Sequence, residues 1–177
     1  MAARFRVPTF RVPTTTIACI VLAGLPAFAQ ADVKTALVKH LTTSRDFTLK
    51  VAEQMPEADY GFKLTPPQMS FAEQMVHLAQ EQAGFLEALS NDKLNPGKPA
   101  SMNKKDVIAF VRQSFDATIA KVSKLTPAQL AKTYNSGEGN MTGLELVMFL
   151  LDHTTHHRAS AEMYLRAKGI TPAEYQF

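Results

Sequence analysis

Four segments of the chain repeat apolar residues with the 3.6-residue period of an amphipathic α-helix, and this pattern constrains the fold more than any other sequence feature. None of the segments shows the strict alternation of apolar and polar residues that is typical of a half-buried strand. The predicted helices cover residues 32–55, 70–89, 103–126 and 142–168. Four amphipathic helices that share one core predict an all-α fold, a four-helix bundle.

Short-range signals mark where these helices begin and end. Ser70 with Glu73, and Thr142 with Glu145, have the capping-box spacing at two of the predicted helix starts. Gly169 is expected just beyond the end of the last helix. The connections are rich in Pro, Gly, Asn and Asp and are predicted as loops. They cover residues 56–69, 90–102 and 127–141, the last with a short helical turn at 127–131 and a flexible stretch at 135–140.

The first 29 residues have the composition of a cleavable secretory signal peptide. Three arginines and no acidic residue precede an apolar run at 17–25, which ends at a proline and a small-x-small sequence finishing at Ala29. The run is shorter than the about 20 apolar residues of a membrane-spanning helix. We expect cleavage after Ala29, a mature domain of residues 30–177 and a periplasmic or secreted location. An uncleaved N-terminal anchor is the alternative.

Charge and cysteine content narrow the functional classes. The formal net charge of +3 equals the contribution of the three arginines in the signal peptide, so the mature domain is neutral. A neutral domain has no bulk attraction to phosphate backbones, which argues against a general nucleic-acid-binding protein. The single cysteine, Cys19, lies in the apolar run. The mature domain therefore has no thiolate nucleophile, disulfide or c-type haem attachment.

Five histidines carry the candidate chemistry: His40, His77, His153, His156 and His157. At about 100° per residue, His153 and His157 lie on the apolar stripe of the last helix, one turn apart. His156 falls off that stripe and is expected to be exposed. His40 is expected at the surface or the edge of the core.

Two imidazoles one turn apart on an apolar face suit a divalent metal ion. His77, on the second helix, is the best candidate for a third ligand. Three histidines with an open position are typical of catalytic rather than closed structural sites, and they suit Zn²⁺, Ni²⁺ and Fe²⁺ alike. Histidines that are satisfied by the backbone or by water are the alternative. No residue can be named as a general base, so the catalytic residues are unknown.

Three sequence segments carry a family resemblance. They are Val-Ala-Glu-Gln-Met-Pro-Glu-Ala-Asp-Tyr-Gly-Phe at 51–62, Met-Ser-Phe-Ala-Glu-Gln-Met-Val-His-Leu-Ala at 69–79, and the stretch at 153–170 that begins His-Thr-Thr-His-His-Arg and contains Tyr-Leu-Arg. The chain resembles the DinB-like (DinB/YfiT-type) family of metal-binding four-helix bundles over nearly all of residues 32–177. The resemblance implies a four-helix bundle with metal ligands at His77, His153 and His157.

The sequence departs from the family pattern at one place. Ala159 and Ser160 stand where the family commonly has Gly-Gln after His-Arg, which puts any role of that glutamine in doubt. The family includes thiol S-transferases and proteins described as hydrolases. An oxidising periplasm is poor in cytosolic thiol cofactors, which disfavours the thiol-transfer interpretation.

The resulting hypothesis is an exported metal-dependent enzyme, hydrolase-like or thiol-transferase-like, that acts on an unidentified small-molecule substrate. The alternative is a non-catalytic bundle that binds a metal or a small ligand. A b-type haem bundle is a third interpretation, whereas the absence of Glu-x-x-His argues against a di-iron carboxylate bundle. Among partners we expect no nucleic acid and, after signal cleavage, no membrane, and a homodimer is compatible with the sequence.

Overall fold

The computed structural model describes residues 26–90, 97–137 and 139–176. Residues 1–25, which contain most of the predicted signal peptide and its apolar run, lie outside the described residues. The signal peptide therefore stays a prediction.

The described residues form four long helices, one short helix and a two-stranded antiparallel hairpin. In chain order the elements are α1 Pro26–Gln54, α2 Phe71–Ser90, α3 Lys104–Val122, α4 Pro127–Ala131, β1 Thr133–Ser136, β2 Gly139–Thr142 and α5 Gly143–Ala167. A short 3₁₀ turn, Glu57–Asp59, lies in the connection between α1 and α2. The predicted helices are confirmed, although α1 begins six residues before the predicted start and α3 ends four residues before the predicted end.

Helix starts follow the capping chemistry of the sequence. The Thr142 hydroxyl accepts the backbone N–H of Glu145, and the Glu145 carboxylate accepts the backbone N–H of Thr142 at 2.7 Å. The backbone N–H and the hydroxyl of Thr142 both donate to this carboxylate, and these hydrogen bonds lower the pKa of Glu145. Ser70 and Glu73 make the same reciprocal pair at the start of α2. Gly169 follows α5 with a φ of 74°, as expected for a residue that ends a helix in the left-handed conformation.

The four long helices pack as a bundle in which each contacts two neighbours. Helix α2 packs against α3 and α5, and α1 packs against the same two helices. Of the three pairs of long helices that are consecutive along the chain, α1 with α2 and α3 with α5 therefore lie across the diagonals, whereas α2 and α3 are neighbours. A diagonal crossing needs a long connection, which explains why 16 residues join α1 to α2 and why α4 and the hairpin lie between α3 and α5.

A layer of buried polar side chains divides the core of the bundle into two hydrophobic clusters. One cluster includes Phe47, Met55, Phe71, Met75, Phe115 and Tyr164, and the other includes Leu37, Leu41, Leu86, Val122, Leu146 and Leu150. Between these clusters each long helix contributes a buried polar residue, in chain order Ser44, Gln82, Thr118 and Thr154. His153 and His157 lie at the same level of α5, so the candidate site belongs to the polar layer.

The hairpin corrects the prediction of a flexible stretch at 135–140, and it adds two short strands to the all-α fold that the sequence led us to expect. Thr133 pairs with Thr142 and Ser136 pairs with Gly139 across the two strands. Strands of four residues are too short to show a period, and their pairing depends on where α4 and α5 place their ends. Gly143 is required at that junction, because a Cβ there would collide with the backbone carbonyl oxygen of Gln129.

Among the residues that the structure describes, no helix combines the length and the apolar character that a membrane span requires.

Candidate metal centre

Helices α2 and α5 bring His77, His153 and His157 together in the polar layer. One ring nitrogen from each histidine lies within 4.8 Å of the corresponding nitrogens of the other two. The ring centroids of His77 and His157 are 4.5 Å apart, those of His153 and His157 are 4.5 Å apart, and those of His77 and His153 are 5.3 Å apart. The three histidines that the sequence singled out therefore face one point between α2 and α5 and could hold a metal ion.

The three rings fit the chemistry of a divalent metal ion. Zn–N bonds of about 2.0–2.1 Å in a tetrahedral site place the ligand nitrogens about 3.3 Å apart. Separations of up to 4.8 Å close to that value by small side-chain rotations. All three donors are imidazole nitrogens, which bind Zn²⁺, Ni²⁺ and Fe²⁺.

Gln74 orients His157 for this role. The Nδ1–H group of His157 donates to Oε1 of Gln74 over 2.6 Å, and Gln74 is only 9% exposed. A proton held on Nδ1 leaves the lone pair of Nε2 available as a ligand. Metal-ligating histidines in proteins commonly have their second ring nitrogen fixed in this way.

The ring of His153 packs against the ring of Phe85, and its buried Nδ1 has no hydrogen-bond partner among the described residues. The ring of Phe85 lies 5.9 Å from it, centroid to centroid, and Phe149 packs edge-on against Phe85. A buried ring nitrogen without a partner is costly in a folded protein unless it binds something else. The orphaned atom is compatible with a bound ligand, although Gln82 and Thr154 in the same layer also carry buried polar atoms without a partner among the described residues.

Burial and mutual repulsion keep His153 and His157, the two cluster histidines on α5, neutral. Burial, and then the neighbouring His153 and His77, lower the pKa of His157 to about 4. Burial is also the main cause that lowers the pKa of His153, with a smaller contribution from His77. Neutral imidazole is the form that binds metal ions, so both rings are ready to act as ligands at neutral pH.

His77 forms the solvent side of the cluster. Its side chain is 31% exposed, and its Nδ1 lies 3.8 Å from Oε1 of Glu81, one turn further along α2. A cavity of about 260 Å³ opens beside it. The cavity is lined by Met69, Glu73, Val76, His77, Gln80 and Met102. Solvent and small molecules therefore reach the cluster from the His77 side.

The remaining two histidines lie outside the cluster, as expected. His156 is exposed, with its ring centroid 5.0 Å from that of His157, and it is not part of the set of converging nitrogens. His40 is exposed on α1 and lines a different cavity, which it shares with Arg158.

Sequence reasoning missed Gln74 and Arg158. Gln74 lies one turn before His77 on α2, and this spacing was the only signal in the sequence that could have pointed to it. Arg158 directly follows His157 but faces α1, where it donates to the hydroxyl of Ser44. A buried arginine cannot be told from an exposed one by its position in the sequence alone.

Comparisons with known proteins agree with the fold. The model of the DinB family matches residues 29–177. An uncharacterised protein of Bacillus subtilis (strain 168), YjoA, is 24% identical over 139 residues, which cover 76% of this chain and 90% of YjoA.

Two solved structures share the architecture. A DinB-like protein from Bacillus cereus ATCC 10987 superposes with a TM-score of 0.70 at 16% identity, over 80% of this chain and 97% of that one. The structure of the DinB-like protein YjoA from Bacillus subtilis gives a TM-score of 0.68 at 21% identity, over 79% of this chain and 96% of that one. The family match covers nearly the whole bundle, and the chain belongs to the DinB family.

Proposed function

We propose that this protein is an exported metal-dependent enzyme that acts on a small molecule, with His77, His153 and His157 holding one Zn²⁺, Ni²⁺ or Fe²⁺ ion. The observation that carries the proposal is the convergence of three ring nitrogens within 4.8 Å of one another. The orphaned Nδ1 of His153 and the hydrogen bond between Gln74 and His157 support it.

A divalent ion at this position would supply Lewis-acid activation of a water molecule or a substrate heteroatom. The protein contributes orientation: Gln74 holds the Nδ1 proton of His157, and Glu81 lies where it can attract a proton on Nδ1 of His77. Phe85 shields the His153 side of the cluster, whereas the cavity beside His77 admits the substrate.

The donor set and the family resemblance favour two reaction classes, hydrolysis and thiol transfer. Three neutral ligands leave the full charge of the ion available to polarise water, as in a hydrolase, or to bind a thiolate, as in a thiol transferase. The carboxylate of Glu73, which lines the cavity, is held by the backbone N–H of Ser70 at 2.6 Å and lies 3.4 Å from Nζ of Lys63. Glu73 is therefore occupied as a helix cap rather than placed as a general base.

Metal analysis of the purified, untagged protein tests the site. We expect close to one divalent ion per chain by elemental analysis, and loss of that ion in His157→Ala. The matched control is His156→Ala, since His156 is the neighbouring residue on α5, carries the same ring, is exposed and is not among the converging nitrogens. Equal metal content in the two variants, with unchanged helical circular dichroism, would contradict the proposed ligand set.

A second experiment separates an enzyme from a binding protein. The metal-loaded protein is screened against ester, amide and phosphoester hydrolysis and against thiol transfer, with His157→Ala and His156→Ala as the inactive and active references. Turnover that is lost only in His157→Ala supports the enzyme. Stoichiometric metal without turnover, together with a large loss of thermal stability on chelation, supports the non-catalytic alternative.

Export is tested by cell fractionation and N-terminal sequencing. The three arginines, the short apolar run and Ala27-Phe28-Ala29 support cleavage after Ala29. We expect a mature protein that begins at Gln30 and is released with the periplasmic or secreted fraction. An intact N-terminus on membrane-bound protein would favour the uncleaved anchor.

A further inference from the structure

A second polar cluster lies on the side of α5 that faces α1, whereas the three histidines lie between α5 and α2. A cavity of about 110 Å³ opens there between α1, α5 and the segment that follows α5. Arg158 lines this cavity and is only 3% exposed, and its guanidinium lies over the ring of Phe47 at 4.6 Å. The bundle therefore buries a full positive charge beside a small cavity.

Among the described residues, the guanidinium of Arg158 has only weak compensation. Nη1 donates to the hydroxyl of Ser44 at 2.9 Å and, over a longer 3.5 Å, to that of Thr48. Nη2 donates to the hydroxyl of Thr155 at 3.3 Å. The nearest contact with a carboxylate joins Nε to Oε1 of Glu162 over 4.0 Å, which is too long for a hydrogen bond. Buried charges are normally compensated by a hydrogen-bonded counter-charge.

The other side chains around the cavity are suited to an anion. No aspartate or glutamate occurs among the described residues that line it. Besides Arg158, its polar groups come from His40, Thr43, Ser44, Thr155, Tyr175 and Gln176. The planar fork of an arginine matches the oxygens of a carboxylate or a phosphate, and hydroxyls donate to the same groups.

The size of the cavity limits what it can hold. A volume of about 110 Å³ is roughly four times the ~30 Å³ that one water molecule occupies in the liquid. It suits a small oxyanion, or the acidic group of a slightly larger molecule.

We propose that this cavity binds the oxyanion of a small molecule, a carboxylate or a phosphate, with Arg158 as the charged anchor and the hydroxyls of Ser44 and Thr155 as neighbouring donors. The proposal does not depend on a metal ion at the three histidines, because Arg158 and His157 present their side chains to different helices. In this proposal the exposed His40 lies at the rim of the anion-binding cavity.

Titration of the isotopically labelled protein with inorganic phosphate and with acetate, at constant ionic strength, tests the proposal by NMR. We expect saturable shifts of the Nε–H resonance of Arg158 and of the backbone amides of Thr43 and Ser44. Tighter binding of phosphate identifies a phosphate site, and tighter binding of acetate identifies a carboxylate site. Absence of a saturable shift with both anions would overturn the proposal.

Two variants test the role of the residues. Ser44→Ala removes a hydroxyl beside the guanidinium. Arg158→Lys keeps the positive charge but replaces the planar guanidinium, with its paired N–H donors, by an ammonium group. Each is expected to raise the dissociation constant about tenfold, since a hydrogen bond to a charged group is lost. Thr42→Val is the matched control on α1, because the Thr42 hydroxyl donates to the carbonyl oxygen of Val38 at 2.8 Å, away from the cavity.

The experiments distinguish a wrong assignment of the metal site from a wrong assignment of the anion site. Phosphate that binds at a metal ion is lost in the double variant His153→Ala/His157→Ala, whereas phosphate at Arg158 remains bound in that variant. If Ser44→Ala binds both anions as tightly as Thr42→Val does, the hydroxyl has no role and the proposed site is wrong. Should Arg158→Lys fail to fold, the comparison of Ser44→Ala with Thr42→Val still decides the question.

Discussion

Gln74→Leu isolates the contribution of one buried hydrogen bond to metal binding. The substitution keeps the size of the side chain and removes the oxygen that accepts the Nδ1–H of His157 at 2.6 Å. Without that acceptor the ring loses its fixed tautomer, and the loss of such a partner typically lowers metal affinity about 10- to 100-fold. This range corresponds to about 1.4–2.7 kcal/mol of binding free energy. The metal-free protein should lose only about 1 kcal/mol of stability, as for a single hydrogen bond.

Competition with a chromophoric chelator measures the affinity of each variant for Zn²⁺. Gln82→Leu is the matched control, because Gln82 is a fully buried glutamine on the same helix whose amide atoms have no hydrogen-bond partner among the described residues. It should leave the metal affinity unchanged and raise the free energy of unfolding by about 1 kcal/mol or more. Gln74→Glu keeps an acceptor and should bind Zn²⁺ at least as tightly as the unmodified protein. Equal affinities for Gln74→Leu and Gln82→Leu would refute the proposed function of Gln74.

Three further predictions concern stability. In the metal-free protein the pKa of His157 is lowered to about 4 from its ordinary 6.5; the unfolded chain therefore takes up the proton first as the pH falls. The free energy of unfolding should fall by up to about 3 kcal/mol between pH 6.5 and pH 4, and urea titrations of His157→Gln should show a smaller decrease. Gly143→Ala should lower the melting temperature by several degrees through the clash with the carbonyl of Gln129. Gly84→Ala should stabilise α2 by about 0.5–1 kcal/mol in thermal unfolding, since a Cβ there meets nothing within 4 Å among the described residues.

Interactions within a few residues of one another explain which parts of the fold were predictable. The capping pair of Thr142 and Glu145 is three residues apart, and the structure contains it as predicted. The hairpin that precedes it was missed because its strands are four residues long and depend on the close approach of α4 and α5 at Gly143.

The candidate site, too, was predictable from the sequence only where its residues are close together in the chain. His153 and His157 are neighbours on any helix that contains them, so their spacing alone predicted a pair of imidazoles on one face. His77 lies 80 residues from His157 in the chain, and periodicity offered it only as a candidate; the packing of α2 against α5 brings their rings to 4.5 Å. Gln74, 83 residues from His157, could not be chosen before that packing was known.

The sequence by itself determined the four long helices, the capped starts of α2 and α5 and the two candidate ligands one turn apart, because each depends on groups separated by four residues or fewer. Tertiary structure alone decided which partners meet: the third histidine, the glutamine that orients His157, and the side of α5 on which Arg158 is buried. The physical reason is that side-chain packing between helices sets these distances, and many sequences with the same helical period could pack in another order.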